Sequence, residues 1–365
     1  MRRELRIAVV ALVAVLGTAL ASGPVAAADG PRARAAVVGG VPAEPGRYPW
    51  MVALSRGCGG TLIAPDRVLT AGHCVEDLRI SELRAFVGAR TRERGGYRYD
   101  GRPVRPVDVA THPGYRPLDG GGPVNDAAII RLETPVLDVP LVKLAVTGDT
   151  PLFAGGQDAT VIGWGVTRTD LRSAPLATTL RMGGLRILPE RSCGRAYSGG
   201  DAFRRSVMLC ARSRNPARRP NTSPCVGDSG GPLIVGEDLQ VGIVSFGISC
   251  GALREPTVFS RVAGLRPFID QPEPIWAPQP LGRSGVDGAV EIGETVACVS
   301  PPWRGAVDRI RYRWGINGVL VATGRRVRVT RNAAGKVLQC RAVASNAGGS
   351  TPATASPAAR VPRGF

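Results

Sequence analysis

The feature of the sequence that most restricts its fold is a series of short apolar runs between residue 37 and about residue 270. Runs rich in Val, Ile and Leu occur at 50–54, 67–70, 127–132, 160–162 and 240–246. Clusters of Gly, Pro and Asp separate them, and few stretches have the periodicity of an amphipathic helix. Many short strands at regular spacing are typical of an all-β barrel or sandwich. At 365 residues, the chain is long enough for two domains, each with its own core.

The first 28 residues resemble a secretory signal peptide. Arg2, Arg3 and Arg6 precede an apolar run at 7–21, and small residues follow as far as Ala28. The alternative is a membrane anchor, but the run is shorter than the roughly 20 residues that span a bilayer. Residues 29–36 form a short Arg/Ala/Pro stretch, which we interpret as a propeptide. The sequence therefore predicts a secreted, extracellular protein.

The chain has eight cysteines, and none of them lies in a CxxC pair. In an exported protein, an even number of cysteines indicates disulfides rather than metal ligands, because the compartment is oxidising. Counting alone leaves the pairing of the cysteines open.

The net charge of +18 comes mainly from arginine, since Lys143 and Lys336 are the only lysines. Residues 277–365 carry 13 basic and 4 acidic side chains, whereas residues 37–276 carry 29 and 23. The excess therefore lies in the C-terminal part, where it favours an anionic partner such as a cell-surface or cell-wall polymer. A nucleic-acid backbone is an alternative of the same charge, but we expect no specific nucleic-acid partner.

A proline-rich segment separates the two parts of the chain. Four prolines lie within residues 271–280, which favours an extended, semi-rigid connector because proline lacks a backbone donor. We therefore predict a first domain at 37–270, a linker at 271–281 and a second domain at 282–365. Residues 294–298, 311–314 and 337–340 of the second domain again have the composition of strands.

Three motifs of the first domain carry side chains suited to nucleophilic catalysis. His73 lies in 69–74 (LTAGHC), Asp126 in 125–130 (NDAAII) and Ser229 in 227–232 (GDSGGP). A serine hydroxyl is a weak nucleophile at neutral pH and needs an adjacent base, and that base needs a partner that fixes its tautomer. A lone histidine would more often be structural, and the alternative for 227–232 alone is a glycine-rich turn, but the three motifs in this order favour catalysis.

The order of these motifs and their flanking residues resemble the trypsin/chymotrypsin family of serine proteases over about residues 37–270. The resemblance implies two six-stranded antiparallel β-barrels. It also implies that Ser229 attacks the peptide bond, that His73 moves the proton and that Asp126 holds the histidine. We therefore expect a secreted serine endopeptidase that acts on protein or peptide substrates. The alternatives are a catalytically silent homologue and a surface-binding protein.

The same resemblance assigns further roles. The backbone N–H groups of Gly227 and Ser229 would form the oxyanion hole. Val37 would become the N-terminus after cleavage following Ala36, and its free α-amino group would pair with Asp228. The protein would thus be made as an inactive zymogen.

The family pattern also implies a pairing for the cysteines. Cys58 would pair with Cys74, Cys193 with Cys210, and Cys225 with Cys250, which leaves Cys298 and Cys340 for the C-terminal domain. Together with Trp314, these last two cysteines resemble an immunoglobulin-like β-sandwich, in which a tryptophan packs against the disulfide.

The resemblance places the primary substrate pocket at five residues, which are Ser223, Ser245, Phe246, Gly247 and Thr257. Trypsin-like members have an aspartate at the base of this pocket, where this chain has Ser223, so we do not expect cleavage after Lys or Arg. Thr257 replaces a glycine of the family and should narrow the pocket. We predict a preference for small or medium apolar residues before the scissile bond.

We expect neither a metal nor a cofactor. The family's calcium loop is rich in carboxylates, whereas residues 90–105 are rich in arginine. We also expect the protein to be a monomer.

Overall fold

The computed structural model describes residues 37–116, 122–169, 175–197, 203–215, 217, 221–251 and 255–363. The signal peptide and propeptide predicted from the sequence lie outside these residues. Residues 34–365 belong to one compact unit. In the part of the chain that is described, no helix is long and apolar enough to cross a membrane.

Short antiparallel strands make up most of the structure up to residue 270. In chain order they are β1 (Val41–Pro42), β2 (Met51–Leu54), β3 (Cys58–Ala64), β4 (Arg67–Thr70), β5 (Ala85–Val87), β6 (Arg102–Val104), β7 (Pro106–Thr111), β8 (Ala128–Leu132), β9 (Lys143–Leu144), β10 (Asp158–Gly163), β11 (Arg181–Ile187), β12 (Met208–Ser213), β13 (Pro232–Val235), β14 (Leu239–Phe246) and β15 (Thr257–Arg261).

The first sheet is an open half-barrel of seven strands in the order β6-β5-β2-β3-β4-β8-β7. The sequence predicts a closed six-stranded barrel here, so this half of the expectation needs correction. β6 and β7 lie at opposite ends of the order although only Arg105 separates them in the chain. A connection of one residue is too short for the two strands to pair with each other, so regular pairing is interrupted between them.

The second sheet contains the closed barrel that the sequence predicts. Six strands follow the order β11-β10-β13-β14-β15-β12, and pairing between β11 and β12 closes the ring. β1 pairs with β11 and β9 with β14 at the outside of this ring. β14 is buried along nearly its whole length, and most of its side chains are accordingly apolar.

Two α-helices accompany the strands, α1 (Glu190–Ala196) and α2 (Val262–Ile269). Short 3-10 helices lie at Gly72–Cys74, Ile80–Glu82, Thr147–Phe153 and Arg331–Ala333. The apolar face of α2, which includes Leu265 and Phe268, packs in one cluster with Leu69 and Ile129 of the first sheet and Ile243 of the second. This helix therefore ties the two sheets together near the loops that carry His73 and Asp126.

The remaining strands form what we call the C-terminal module (residues 279–363). They are β16 (Gln279–Pro280), β17 (Gly285–Asp287), β18 (Thr295–Val299), β19 (Trp303–Arg304), β20 (Arg309–Ile316), β21 (Val319–Thr323), β22 (Arg326–Arg328), β23 (Val337–Asn346), β24 (Gly349–Pro352) and β25 (Ala359–Arg360).

Two sheets dominate this module. One has five strands, with β21-β20-β23-β24 in order and β25 beside β23, and the other has three in the order β17-β18-β22. The Cys298–Cys340 disulfide joins β18 to β23. Trp314 is fully buried in the same core, and its indole N–H donates to the Gly324 carbonyl at 2.9 Å. The disulfide and the tryptophan therefore hold the two sheets around one small core.

The C-terminal module packs directly on the outer edge of β7. The Ala277 N–H donates to the Val109 carbonyl at 2.8 Å, and the Thr111 N–H donates to the Gly348 carbonyl at 2.7 Å. Ala277 and Gln279, which lie in the segment predicted to be a linker, are both buried. An edge that the half-barrel leaves unpaired is thus covered by the chain that follows it.

Candidate active site

The three residues of the expected triad lie in turns beside strands of the two sheets. His73 is in the 3-10 helix that follows β4, Asp126 comes two residues before β8, and Ser229 comes three residues before β13. Each position is outside regular pairing, so its side chain is free to point into the space between the sheets.

His73 and Asp126 are in direct contact. The Nδ1 atom of His73 lies 2.8 Å from Oδ2 of Asp126, and the His73 backbone N–H donates to Oδ1 at 2.9 Å. The Asp126 carboxyl is fully buried, whereas the imidazole is 30% exposed. The hydroxyl of Ser245 donates to Oδ2 at 2.5 Å. Both oxygens of the buried carboxylate are therefore satisfied, and one of them fixes the orientation of the imidazole.

The environment favours the protonated form of His73. Burial of the imidazole opposes protonation, but the hydrogen bond and the charge of Asp126, assisted by Glu76, outweigh it, so the pKa of His73 is raised above its ordinary value. A histidine with these neighbours is suited to accept a proton during a reaction and to hold it briefly.

Backbone contacts place the segment of Ser229 against the first sheet. The Gly59 N–H donates to the Ser229 carbonyl at 2.8 Å, and the Gly230 N–H donates to the Val244 carbonyl at 2.9 Å. Gly230 has a φ of +75°, and a side chain there would collide with the Thr70 hydroxyl of β4 and the Gly59 carbonyl of β3. Ser229 is thus held in a tight turn between the sheets, close in space to the segment that leads into His73.

The turn before Ser229 leaves two backbone donors available. Gly227 has a φ of +95°, a left-handed conformation that glycine adopts without strain. The Asp228 N–H donates to the Cys225 carbonyl at 2.9 Å, but the N–H groups of Gly227 and Ser229 have no partner among the residues that the structure describes. Unpaired donors on either side of one peptide unit can bind an oxygen that carries negative charge.

Asp228 is a second buried carboxylate, 1% exposed, next to Ser229. Its Oδ1 accepts from the Gly165 N–H at 2.7 Å, and its Oδ2 accepts from the Cys225 N–H at 3.0 Å. Burial raises the pKa of Asp228 to about 7, although the two backbone hydrogen bonds lower it in part. Asp228 therefore has two hydrogen-bond donors among the described residues to offset the cost of its burial, whereas Asp126 has three.

Val37 and Val38 lie inside the molecule, both with no exposed surface. Val37 has a φ of +47°, which is a strained conformation for a β-branched residue. Val38 forms a β-bridge with Ser223, and its carbonyl accepts from the Ser223 N–H at 3.1 Å. The start of the first domain is therefore anchored to the segment that leads through Cys225 to Asp228 and Ser229.

The residues of the expected substrate pocket are only partly brought together. A side chain at Gly247 would lie 3.7 Å from Oγ1 of Thr257, so these two residues face each other. Ser223 is buried and its hydroxyl donates to the Pro224 carbonyl at 2.8 Å. Phe246 packs edge-on against Tyr197, with ring centroids 5.5 Å apart. The Ser245 hydroxyl donates to Asp126, and the place of Ser245 in the substrate pocket stays a prediction.

Two exposed apolar side chains beside the Cys225–Cys250 disulfide are not identified by the sequence reasoning. Val226 is 60% exposed and Ile248 is 61% exposed, and each lies within two residues of the Cys225–Cys250 disulfide. Both are apolar residues close in sequence to a cysteine, which the sequence shows. That they are exposed to solvent is visible only in the folded structure.

All eight cysteines form disulfides, and the pairs are those that the family resemblance implies: Cys58–Cys74, Cys193–Cys210, Cys225–Cys250 and Cys298–Cys340. Among the described residues, one group of three candidate metal ligands comes together, consisting of Cys58, His73 and Cys74. Because both cysteines of this group are oxidised, they offer no thiolate to a metal.

We expect Asp228→Asn to change the pH dependence of stability while residues 1–36 are still attached to Val37. The folded chain raises the pKa of Asp228 from 3.8 to about 7, so stability from this group is complete below pH 4 and is lost as the pH rises to 7. The folded state thereby loses roughly 4 kcal/mol of unfolding free energy, at about 1.4 kcal/mol per pKa unit. Asparagine cannot ionise, so the stability of the variant relative to its parent should increase between pH 4 and pH 8. Denaturant unfolding in a Ser229→Ala background measures this, and a pH-independent difference would contradict it.

Comparison with known proteins agrees with this geometry. A family model described as Trypsin matches residues 37–269. Trypsin alpha-4 of Lucilia cuprina is 32% identical over 264 residues, which cover 71% of this chain and 94% of the relative. Trypsin epsilon of Drosophila erecta is 33% identical over 273 residues, which cover 73% of this chain and 98% of the relative. Trypsin of Sarcophaga bullata is 32% identical over 241 residues, which cover 64% of this chain and 88% of the relative. The chain therefore belongs to the trypsin family, and it is a serine-type endopeptidase.

Proposed function

We propose that this endopeptidase works through Ser229 as nucleophile, His73 as general base and Asp126 as the group that orients the histidine. The observation that carries the proposal is the 2.8 Å contact between His73 Nδ1 and the fully buried Asp126 carboxylate. With its Nδ1 proton donated to Asp126, the imidazole has a lone pair only on Nε2, which is the atom left to accept the Ser229 proton.

The reaction proceeds in two halves. Ser229 adds to the peptide carbonyl as His73 takes its proton, and the imidazolium then protonates the leaving amine, which leaves an acyl-enzyme. Water attacks the acyl-enzyme with His73 again as base. The raised pKa of His73 supports the imidazolium that forms in both halves. The unpaired N–H groups of Gly227 and Ser229 bind the oxyanion, an interaction whose loss typically costs about 3–4 kcal/mol in the barrier.

The preference before the scissile bond is for small or medium apolar residues. The supporting features are an uncharged Ser223 at the pocket base, Thr257 opposite Gly247, and the apolar Val226 and Ile248 at its rim. A basic substrate side chain finds no carboxylate at Ser223. The three relatives named above are trypsins, and the family resemblance implies an aspartate where this chain has Ser223.

We expect the chain beginning at Val37 to cleave peptides with Ala, Val, Leu or Met before the scissile bond faster than those with Phe or Arg, and Ser229→Ala to be inactive. Thr257→Gly should raise the kcat/KM ratio of Phe over Ala substrates about tenfold, because it removes the wall that opposes Gly247. Peptide substrates that vary only at this residue measure both effects. A preference for Arg in the parent enzyme would overturn the pocket assignment.

Activation requires cleavage after Ala36, which frees the α-amino group of Val37. The supporting features are the burial of Val37 and the incompletely compensated carboxylate of Asp228. An ammonium group brought to Asp228 supplies the missing positive charge and stabilises the turn that holds Gly227 and Ser229. The signal peptide at 1–28 and the propeptide at 29–36 make the protein a secreted zymogen.

We expect the activity of the cleaved enzyme to fall at alkaline pH, because an α-amino group has a reference pKa of about 8 and loses its charge above its own pKa. The pH profile of kcat/KM for the best peptide substrate measures this loss. Activity that stays constant to well above pH 10 would contradict the ion pair.

The C-terminal module has the features of an immunoglobulin-like sandwich that binds an anionic surface. Arg309, Arg311 and Arg341 are exposed on adjacent strands of its five-stranded sheet, and none of them has an ion-pair partner among the described residues. Arg341 lies directly opposite Arg313, which is an unfavourable pair of like charges. A row of unneutralised arginines attracts a polyanion such as a cell-wall poly(glycerol phosphate).

We expect the triple variant Arg309→Gln, Arg311→Gln, Arg341→Gln to bind poly(glycerol phosphate) about tenfold more weakly than the Ser229→Ala parent at low salt. The matched control replaces Arg47, Arg56 and Arg105 of the first domain, which removes the same charge elsewhere. Binding to immobilised polymer at several salt concentrations measures the effect. Equal loss in both triple variants would show a net-charge effect and contradict a site on the module.

A further inference from the structure

The C-terminal module contacts the loop that carries His73, and these contacts have a consequence for catalysis. We propose that the module is a positioning element for His73 and that it acts through Asp77, four residues further along the chain. The proposal rests on the proposed role of His73 as general base. It assigns to the module a role in the reaction beyond that of a spacer or an attachment domain.

Asp77 is held by two side chains of the module. Its Oδ2 accepts from Nη2 of Arg313 at 2.9 Å, and its Oδ1 accepts from the Ser350 hydroxyl at 3.1 Å. The backbone of Asp77 has a φ of +53°, a left-handed conformation that aspartate tolerates better than most residues. Both oxygens of this carboxylate are therefore oriented by the module, at a point where the chain turns sharply.

A short, internally hydrogen-bonded segment connects Asp77 to His73. The N–H groups of Val75 and Glu76 both donate to the Gly72 carbonyl at 3.1 Å, and the Leu78 N–H donates to the Val75 carbonyl at 3.3 Å. The Cys58–Cys74 disulfide restrains the same segment from the other side. Because consecutive turns leave little freedom between the two residues, a displacement at Asp77 moves the backbone of His73.

The contact on Asp77 is part of a larger docking site. The turn between β23 and β24 supplies the Gly348 carbonyl, which accepts from the Thr111 N–H of β7 at 2.7 Å, and Ser350, which binds Asp77, lies two residues further along in β24. Asn346 fixes this turn, since its side chain accepts from the Gly348 N–H at 2.8 Å and donates to the Trp276 carbonyl at 2.9 Å. The module therefore presents a preformed turn to β7 and, next to it, the Ser350 hydroxyl to Asp77.

The contacts of the module with Asp77 act on the position of the Nε2 atom of His73. Asp126 fixes Nδ1 and the backbone N–H of His73, but the imidazole is 30% exposed on its other side. Where Nε2 lies relative to Ser229 depends on the tilt of the 3-10 helix Gly72–Cys74. Glu76, which accepts from the Tyr115 hydroxyl at 2.8 Å, anchors one side of this helix, and Asp77 anchors the side that faces the module.

The test compares single variants of the chain beginning at Val37 with all of the module present. Arg313→Ala and Asp77→Asn should each lower kcat on a short apolar peptide substrate about three- to tenfold, with KM within about twofold, because a misplaced base slows proton transfer but leaves the pocket intact. The rate of inactivation by a small sulfonyl fluoride, which depends on the same base but not on the pocket, should fall by a similar factor.

Two further variants separate positioning from docking. Arg304→Ala removes a different contact of the module, the 2.8 Å ion pair with Asp108, and Arg326→Ala removes an exposed arginine of β22 that makes no ion pair or hydrogen bond with the described residues of the first domain. Both should keep kcat within about twofold of the parent. The double variant Asp77→Asn with Arg313→Ala should lose no more activity than the more damaging of the two single changes, because both remove the same contact.

The outcomes are distinct. Unchanged kcat and inactivation rates in both Arg313→Ala and Asp77→Asn, with an active parent, would overturn the positioning role. An equal loss in Arg304→Ala would also overturn it, because docking in general rather than Asp77 would then be responsible. A parent enzyme that neither cleaves peptides nor reacts with the sulfonyl fluoride would instead contradict the proposed function of Ser229 and His73.

Discussion

A carboxylate without any exposed surface lies at the centre of this structure. Burying the Asp126 carboxylate is costly unless its two oxygens accept hydrogen bonds. Three donors from two residues supply these hydrogen bonds. His73 supplies two of them from the loop after β4, and Ser245 supplies the third from β14 of the closed barrel. Since these donors come from different sheets, satisfying one charge requires both halves of the first domain to be in register.

Asp228 illustrates the opposite arrangement. It is as deeply buried as Asp126 but has only two backbone donors, and its pKa is raised to about 7. A buried carboxylate with incomplete compensation makes its surroundings sensitive to the arrival of a positive charge. The two buried carboxylates of the site thus differ in their hydrogen-bond environments: Asp126 accepts from His73 and Ser245, whereas Asp228 accepts from two backbone N–H groups among the described residues.

The open edge of the half-barrel links the fold to the C-terminal module. Two backbone groups at the outer edge of β7 are taken up by the chain that follows: the Val109 carbonyl accepts from the Ala277 N–H, and the Thr111 N–H donates to the Gly348 carbonyl. A strand edge left free would be a site for aggregation, so covering it is favourable in itself. The same packing brings Arg313 and Ser350 to Asp77, which places the module beside the loop that carries His73.

The sequence by itself determined the all-β class, the positions of His73, Asp126 and Ser229, and the family to which residues 37–269 belong. These follow from local patterns: short apolar runs, glycine at turns of positive φ such as Gly227, and motifs whose spacing and order are distinctive. The tertiary structure decided that the first sheet stays open, that the Ser245 hydroxyl binds Asp126, and that the segment at 276–279 is packed rather than free. It also decided the contact between Asp77 and Arg313, residues 236 positions apart. Contacts of this kind depend on how distant segments meet, and no local pattern of residues carries that information.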